Sequence, residues 1–253
     1  MDKGIYAATS GGLLESRRLQ NAANNVANTN TAGFKSQKLA SRSQEFGDTL
    51  VGVTRPADAI ARANLQRSPA VISTESVVDF RPGAVSFTGN PLDVALNNKD
   101  TFLVIQTAQG EEYTRAGNFT VNSQGQIVTQ DGQLVLGTSG PIEVGDAVPK
   151  IVGNGAVLAN GTEVAKLRTV QIDNLKSLEH RGGTRYGFGA AGGTATDVEP
   201  QLIEQSIELP NTTVLESMVD MISIQKNFEA YTKVVRSIDE LNDRVIRLAR
   251  TTG

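Results

Sequence analysis

Both ends of this chain carry helical periodicity, and everything between them carries the marks of β-strands and turns. At the front, Ile5, Ala8, Gly12, Leu19, Ala22 and Val26 recur at intervals of three, four or seven, the spacing of one helical stripe. The stripe is thin and made mostly of small residues. At the back, Val214, Met218, Met221, Ile224, Phe228, Tyr231, Val235, Ile238, Leu241, Val245 and Leu248 repeat at three and four without a miss. That is roughly 50 Å of helix at about 1.5 Å per residue. A helix so extended is not wrapped by its own compact domain and is expected to seek a partner helix and neighbouring molecules.

Composition narrows the chemistry. Zero cysteines remove disulfides, thiolate catalysis and sulfur-ligated metals, and a single histidine argues against a zinc site or a histidine acid/base pair. The 24 basic and 27 acidic residues give a net charge of -3 with no basic cluster, so nucleic acid is not an expected partner. No run approaches the roughly 18 apolar residues of a membrane span. The start, Met-Asp-Lys-Gly-Ile-Tyr-Ala-Ala, also lacks the apolar core of a secretory signal. The expectation is a protein not embedded in a membrane and, if it works outside the cytoplasm, exported without a cleaved signal.

The first helix should span residues 4 to 28 and stop in Asn28-Thr29-Asn30-Thr31-Ala32-Gly33, where polar side chains bond backbone groups and Gly33 tolerates a positive φ. Strands are expected at Thr101 to Thr107, Glu111 to Arg115, Asn118 to Val121, Gln126 to Thr129 and Gln133 to Leu136, read as a β-meander. Further strands follow at Ile142 to Val144, Lys150 to Val152, Ala156 to Leu158 and Glu163 to Ile172, punctuated by the hairpin pairs Asn154-Gly155 and Asn160-Gly161. Gly182 to Gly193 reads as a glycine-rich surface loop, and Gln201 to Leu209 as a strand-like return into the last helix, where Thr213 and Glu216 have capping-box spacing. The expected fold is α+β. Long N- and C-terminal helices (1–33 and 211–253) pair as a coiled-coil-like helical domain. Residues 34–85 form an extended linker with short strands, and 86–210 an inserted, mainly antiparallel β domain.

Candidate catalytic groupings fail on context. Gly187-Phe188-Gly189-Ala190-Ala191-Gly192 has the letters of a dinucleotide-binding turn, but no βαβ unit surrounds it. His180 lies between Glu179 and Arg181 with no nucleophile elbow or metal-ligand spacing. Glu111 and Glu112 are strand neighbours that point to opposite faces, and Asp239 and Glu240 lie off the apolar helical stripe. No catalytic, cofactor or metal residue is expected, so the chain reads as a non-enzyme.

Three stretches carry a family resemblance. Ala23-Asn24-Asn25-Val26-Ala27-Asn28-Thr29-Asn30-Thr31-Ala32-Gly33-Phe34-Lys35 closely resembles the N-terminal signature of bacterial flagellar rod and hook proteins. Asn90-Pro91-Leu92-Asp93-Val94-Ala95-Leu96 and Tyr113-Thr114-Arg115-Ala116-Gly117-Asn118-Phe119 resemble the core motifs of that family's β domain. Val214 to Ile222 and Gln225 to Ala230 resemble its C-terminal helix motif, although the lead-in Leu209-Pro210-Asn211-Thr212-Thr213 departs from the family pattern.

The resemblance implies a structural subunit of the basal-body rod, most like a proximal rod member with a distal one as runner-up. Terminal helices would form an inner tube and the β body an outer layer, in a helical assembly that transmits torque. It implies copies of itself and other axial proteins as partners, delivery by the flagellar type III export apparatus, and a place in the rod spanning the periplasm. The assembly residues it points to are Ile5, Leu13, Leu19, Asn24, Asn25, Val26, Asn28, Thr31, Gly33 and Phe34 at the front. At the back they are Val214, Met218, Met221, Ile222, Phe228, Val235, Ile238, Leu241, Val245 and Leu248, with Leu92, Asp93, Tyr113, Thr114, Arg115 and Gly117 as β-domain motif residues. A secreted adhesin would need exposed aromatic clusters, and only Tyr186 and Phe188 stand close together. A cell-wall hydrolase would need a catalytic acid in a cleft, which no carboxylate constellation suggests.

Overall fold

The computed structural model describes residues 2–44, 71–190 and 192–251; the side chains of Ile5, Val245 and Leu248 lie outside the described residues. Helix α1 runs Asp2–Ala27 and helix α2 runs Val214–Thr251, and among the described residues between them lie nineteen short strands and one 3-10 turn. By packing, the described residues form two units. The first takes in α1 as far as Val26, most of the paired strands Gln37–Gln44 and Val71–Val78, and α2 from Leu215; the second takes in 27–37 and 77–214.

In the first unit the buried face of α1 is Ala8, Gly11, Glu15 and Ala22, again at spacings of three, four and seven. Glu15 was not expected on that stripe; its carboxylate accepts from Arg18 Nη1 at 3.0 Å, one turn along. On α2 the half-buried positions are Met221, Ile224, Phe228, Val235 and Ile238, and Ser217 is buried. The helices meet where Gly11 lets the Tyr231 ring approach: a methyl added at Gly11 would sit 2.5 Å from Tyr231 Cε1.

The expected coiled-coil-like pairing is not what forms. Val214, Met218, Ile222 and Leu241 on α2 are exposed, as is Leu13 on α1. A coiled-coil seam needs large side chains from both helices inserted between those of the partner, and an Ala and Gly stripe supplies none. Among the described residues the fold is two helices with a mostly antiparallel β-rich core.

The second unit is organised by strand Thr101–Thr107, buried along nearly its whole length. Alternate side chains point to opposite faces of a strand, so this one feeds two cores. Leu103 and Ile105 pack with Val94, Phe119, Ile127, Val135, Ile151 and Val157. Phe102 and Val104 pack with Phe80, Tyr113, Val170, Ile172 and Tyr186, where the rings of Phe80, Phe102 and Tyr186 meet edge to face at 5.1–6.3 Å.

Most of the expected strands are present, although Glu163 to Ile172 forms two, Thr162–Lys166 and Thr169–Ile172, and the order is not a simple meander. Strand Gly110–Thr114 hairpins back on Thr101–Thr107 and then pairs with Arg185–Phe188. On the other side, Thr101–Thr107 meets Leu134–Gly137, which continues through Ile127–Val128 to Thr120–Val121. Sequence spacing reveals hairpins because their pairing is local, whereas the partner of an outer strand edge is set by distant residues. The glycine-rich passage is a loop only in part: Leu178–Gly182 and Arg185–Phe188 form a hairpin docked on Gly110–Thr114, and Gly187 lies within a strand. The segment Ile142 to Val144 joins only through an isolated bridge between Gln126 and Glu143. At Asn160-Gly161 both residues have positive φ, 51° and 86°, the geometry expected of a type I′ hairpin turn.

Candidate functional site

Where the segment after α1 and the segment before α2 come together in the β body, three charged side chains are buried side by side. Lys35 closes the N-terminal signature, Arg115 sits in the Tyr113-Thr114-Arg115 motif, and Glu208 ends strand Ser206–Glu208. Their side chains are 0%, 1% and 1% exposed. Arg115 Nε donates to Glu208 Oε2 at 2.7 Å, and Lys35 Nζ donates to Glu208 Oε1. The Gly83 N–H donates to the same Oε1 at 2.9 Å, so one carboxylate serves three donors.

Further protons of both cations go to backbone. Lys35 Nζ donates to the Arg81 carbonyl at 2.9 Å, and Arg115 Nη1 to the carbonyls of Asn98, Lys99 and Thr101 at 2.8–3.0 Å. The Arg115 guanidinium also lies 5.7 Å from the centre of the Phe102 ring. Buried charges persist only when paired and hydrogen-bonded, and this knot meets that condition.

Backbone and Asn211 contacts tie the Lys35 and Glu208 segments to each other and to residues 79–81. The Gly33 N–H donates to the Glu208 carbonyl at 2.7 Å, and the Ser36 N–H to Asn211 Oδ1 at 2.8 Å. Asn211 Nδ2 donates to the carbonyls of Asp79 and Arg81, and the Asp79 N–H to the Ser36 carbonyl. Gly33 has φ +71°, and a methyl there would sit 2.3 Å from the Ala116 nitrogen. Gly117 is as tight, with room for no side chain against the Val94 carbonyl 1.9 Å away from where its methyl would be.

Several residues picked out from the sequence lie in or beside this region. Phe34, Tyr113 and Thr114 are buried. Thr114 Oγ1 donates to the Thr184 carbonyl and accepts from the Ala116 N–H. Asp93 holds its own turn, accepting from Thr88 Oγ1 at 2.7 Å and Asn90 Nδ2 at 2.9 Å, and Leu92 packs against the first core. Asn28 and Thr31 bond each other through both side chain and backbone at the end of α1. Asn24 is exposed, and Leu19, Asn25 and Val26 are half-buried.

Glu208, Ser36 and Asn211 were missed. The one visible signal for Glu208 was an acidic residue at an inward position of a strand-like run, just before Pro210. His180 lies on strand Leu178–Gly182, with Nε2 2.8 Å from the Gly183 carbonyl and its ring edge-on to Tyr186. Among the described residues no group of three or more His, Asp or Glu side chains could hold a metal ion, and no helix is long and apolar enough to cross a membrane.

Burial pushes the Glu208 carboxyl up, but the Arg115 and Lys35 cations together with the Lys35 and Gly83 hydrogen bonds outweigh it and hold it below its ordinary value of 4.5. A carboxylate depressed on folding contributes stability that is fully present above the unfolded value and lost as pH falls through the folded one. The β body should therefore lose stability on acidification below about pH 4.5, and in Glu208→Gln this part of the acid slope should vanish. Denaturant midpoints of both proteins between pH 6 and pH 2.5, a range chosen to bracket about one carboxylate titration, check it; parallel slopes would refute the assignment.

The segment after α1 and the segment before α2 are knotted into one β body, the arrangement of a structural subunit. The comparisons give that class its family. Residues 98–174 match the flagellar hook protein FlgE/F/G D1 domain, and residues 203–248 the flagellar basal body rod FlgEFG protein C-terminal region. The chain is 30% identical to the flagellar basal-body rod protein FlgF of Salmonella typhimurium, the match covering 98% of each chain. It is 28% identical to the FlgF of Caulobacter vibrioides over 96% of each, and 28% identical to that organism's FlgG over 94% of this chain and 95% of FlgG. The chain belongs to the flagellar FlgE/F/G family of hook and basal-body rod proteins.

Proposed function

We propose that this protein is a structural subunit of the flagellar basal-body rod that polymerises helically into a torque-transmitting shaft, contacting copies of itself and other axial proteins. The observation that carries the reading is the outer face of α2. Leu215, Met218, Ile222 and Leu241 are 75%, 48%, 51% and 57% exposed on a helix whose other stripe is half-buried. Large apolar side chains exposed along a long helix, clustered at Leu215, Met218 and Ile222, mark an interaction surface. Heterologous contact of such faces builds an open helical assembly when its rotation does not close into a ring.

The assembly surface extends in this reading to the signature residues of α1, with Leu13 on its exposed side. Delivery in this reading is by the flagellar type III export apparatus, and the working place is the rod where it crosses the periplasm. Replacing Met218 and Ile222 together with Asp should abolish swimming and rod assembly while changing the monomer's stability by no more than about 0.5 kcal/mol, as for exposed sites in general. Complementation of a non-motile deletion strain, beside thermal melts of the purified variant, tests it. Normal swimming with both aspartates in place would sink the reading.

A further inference from the structure

We propose that Lys35 is a register pin: its buried ammonium selects the one alignment in which the segment after α1 docks on the β body, at no gain in stability. Ala32, Gly33, Phe34, Lys35 and Ser36 are all buried, five residues in succession. Register along an extended segment is normally set by alternation, because a slip of one residue moves the apolar set to the solvent face. A segment buried on every side has no solvent face, so alternation cannot set its register.

What distinguishes the observed alignment is the partner each position meets. The carboxylate of Glu208 receives Lys35 Nζ, and the Arg81 carbonyl takes another of its protons. A slip of one residue either way would place Phe34 or Ser36 against that carboxylate and leave the ammonium buried without an acceptor. The backbone bonds from Gly33 to Glu208 and from Ser36 to Asn211 could each be remade by a neighbouring amide, whereas the close approach at Gly33 opposes a slip that would bring Ala32 or Phe34 there, so Lys35 acts beside that steric stop.

Stability is a poor explanation for this lysine. Glu208 already pairs with Arg115 and accepts from the Gly83 N–H, so its charge is compensated without Lys35. Adding a second cation gives the buried group an excess positive charge. A buried charge that adds no stability but has one matching partner is the device by which buried polar groups specify alignment. Every copy in a helical assembly must present the same conformation to its neighbours, which gives that alignment its value.

The test is Lys35→Met in the full chain, with Lys35→Arg beside it, read by amide NMR and thermal unfolding of the isolated protein. In Lys35→Met the thermal midpoint stays equal or rises, while the amides of Gly33 to Ser36, Asp79 and Asn211 split into two or more sets or broaden. Lys35→Arg keeps a single set. A single wild-type-like set in Lys35→Met would overturn the proposal, and so would a lowered midpoint, which would make Lys35 an ordinary stabilising partner. Neither readout depends on polymerisation, so the pin and the rod assignment succeed or fail separately.

Discussion

Replacing Glu208 with Gln is expected to destabilise the β body by about 3–5 kcal/mol, the range for removing one partner from a buried ion pair. The glutamine keeps the shape and can still accept a hydrogen bond, so little packing is lost. What changes is the charge: Lys35 and Arg115, 0% and 1% exposed, would be left as two buried cations with only carbonyl oxygens around them. Desolvation is then uncompensated for both at once. Since a domain's whole stability is about 5–15 kcal/mol, the variant should melt far below the wild type, and the β body should fail before α1 or α2 is probed at all. Thermal or urea unfolding followed by circular dichroism measures it. A loss smaller than about 1 kcal/mol, the worth of an ordinary neutral hydrogen bond, would mean the knot is not charge-balanced as described.

Gly33→Ala is the second large effect, with an expected loss of about 3 kcal/mol or more from backbone strain and overpacking combined. Gly33 has φ +71°, a conformation an L side chain rarely takes. The added methyl would also lie 2.3 Å from the Ala116 nitrogen and 2.5 Å from the Arg115 carbonyl carbon, both backbone atoms that cannot rotate away. Relief requires residues 32–35 to lift off, which breaks the 2.7 Å bond from the Gly33 N–H to the Glu208 carbonyl. Hydrogen exchange of the Gly33 and Ser36 amides would report that lifting directly. If both stay as protected as in the wild type and the midpoint moves by less than about 1 kcal/mol, the close approach is not rigid.

The two predictions act through different physics. Glu208→Gln leaves geometry intact and removes charge balance, whereas Gly33→Ala leaves charge intact and removes space. The residues lie in one network, so their effects should not add in the double variant.

Much of this molecule was legible from residue order because it depends on local regularities. Helices α1 and α2 follow from three-and-four spacing, strand Thr101–Thr107 was placed at both ends, and the Asn160-Gly161 turn follows from a residue pair that readily accepts positive φ in succession. The signature ending in Lys35 and the motif containing Arg115 were legible as family marks, with no chemical role attached to either charge.

Non-local relations were not legible. Nothing in sequence spacing puts Gly110–Thr114 beside Arg185–Phe188, or Glu208 between a lysine 173 residues before it and an arginine 93 residues before it. Glu15 reads as a surface acid on an amphipathic helix, and only packing shows it buried. The coiled-coil expectation failed for a related reason: periodicity reports which side of a helix is apolar, but not whether enough side-chain volume faces it to form a seam. By itself the sequence determined the elements, their turns and the family, because each of these is written in neighbouring residues. Only the tertiary structure decided that Lys35, Arg115 and Glu208 form one buried knot, because pairing charges so far apart in the chain depends on the closure of the whole β body.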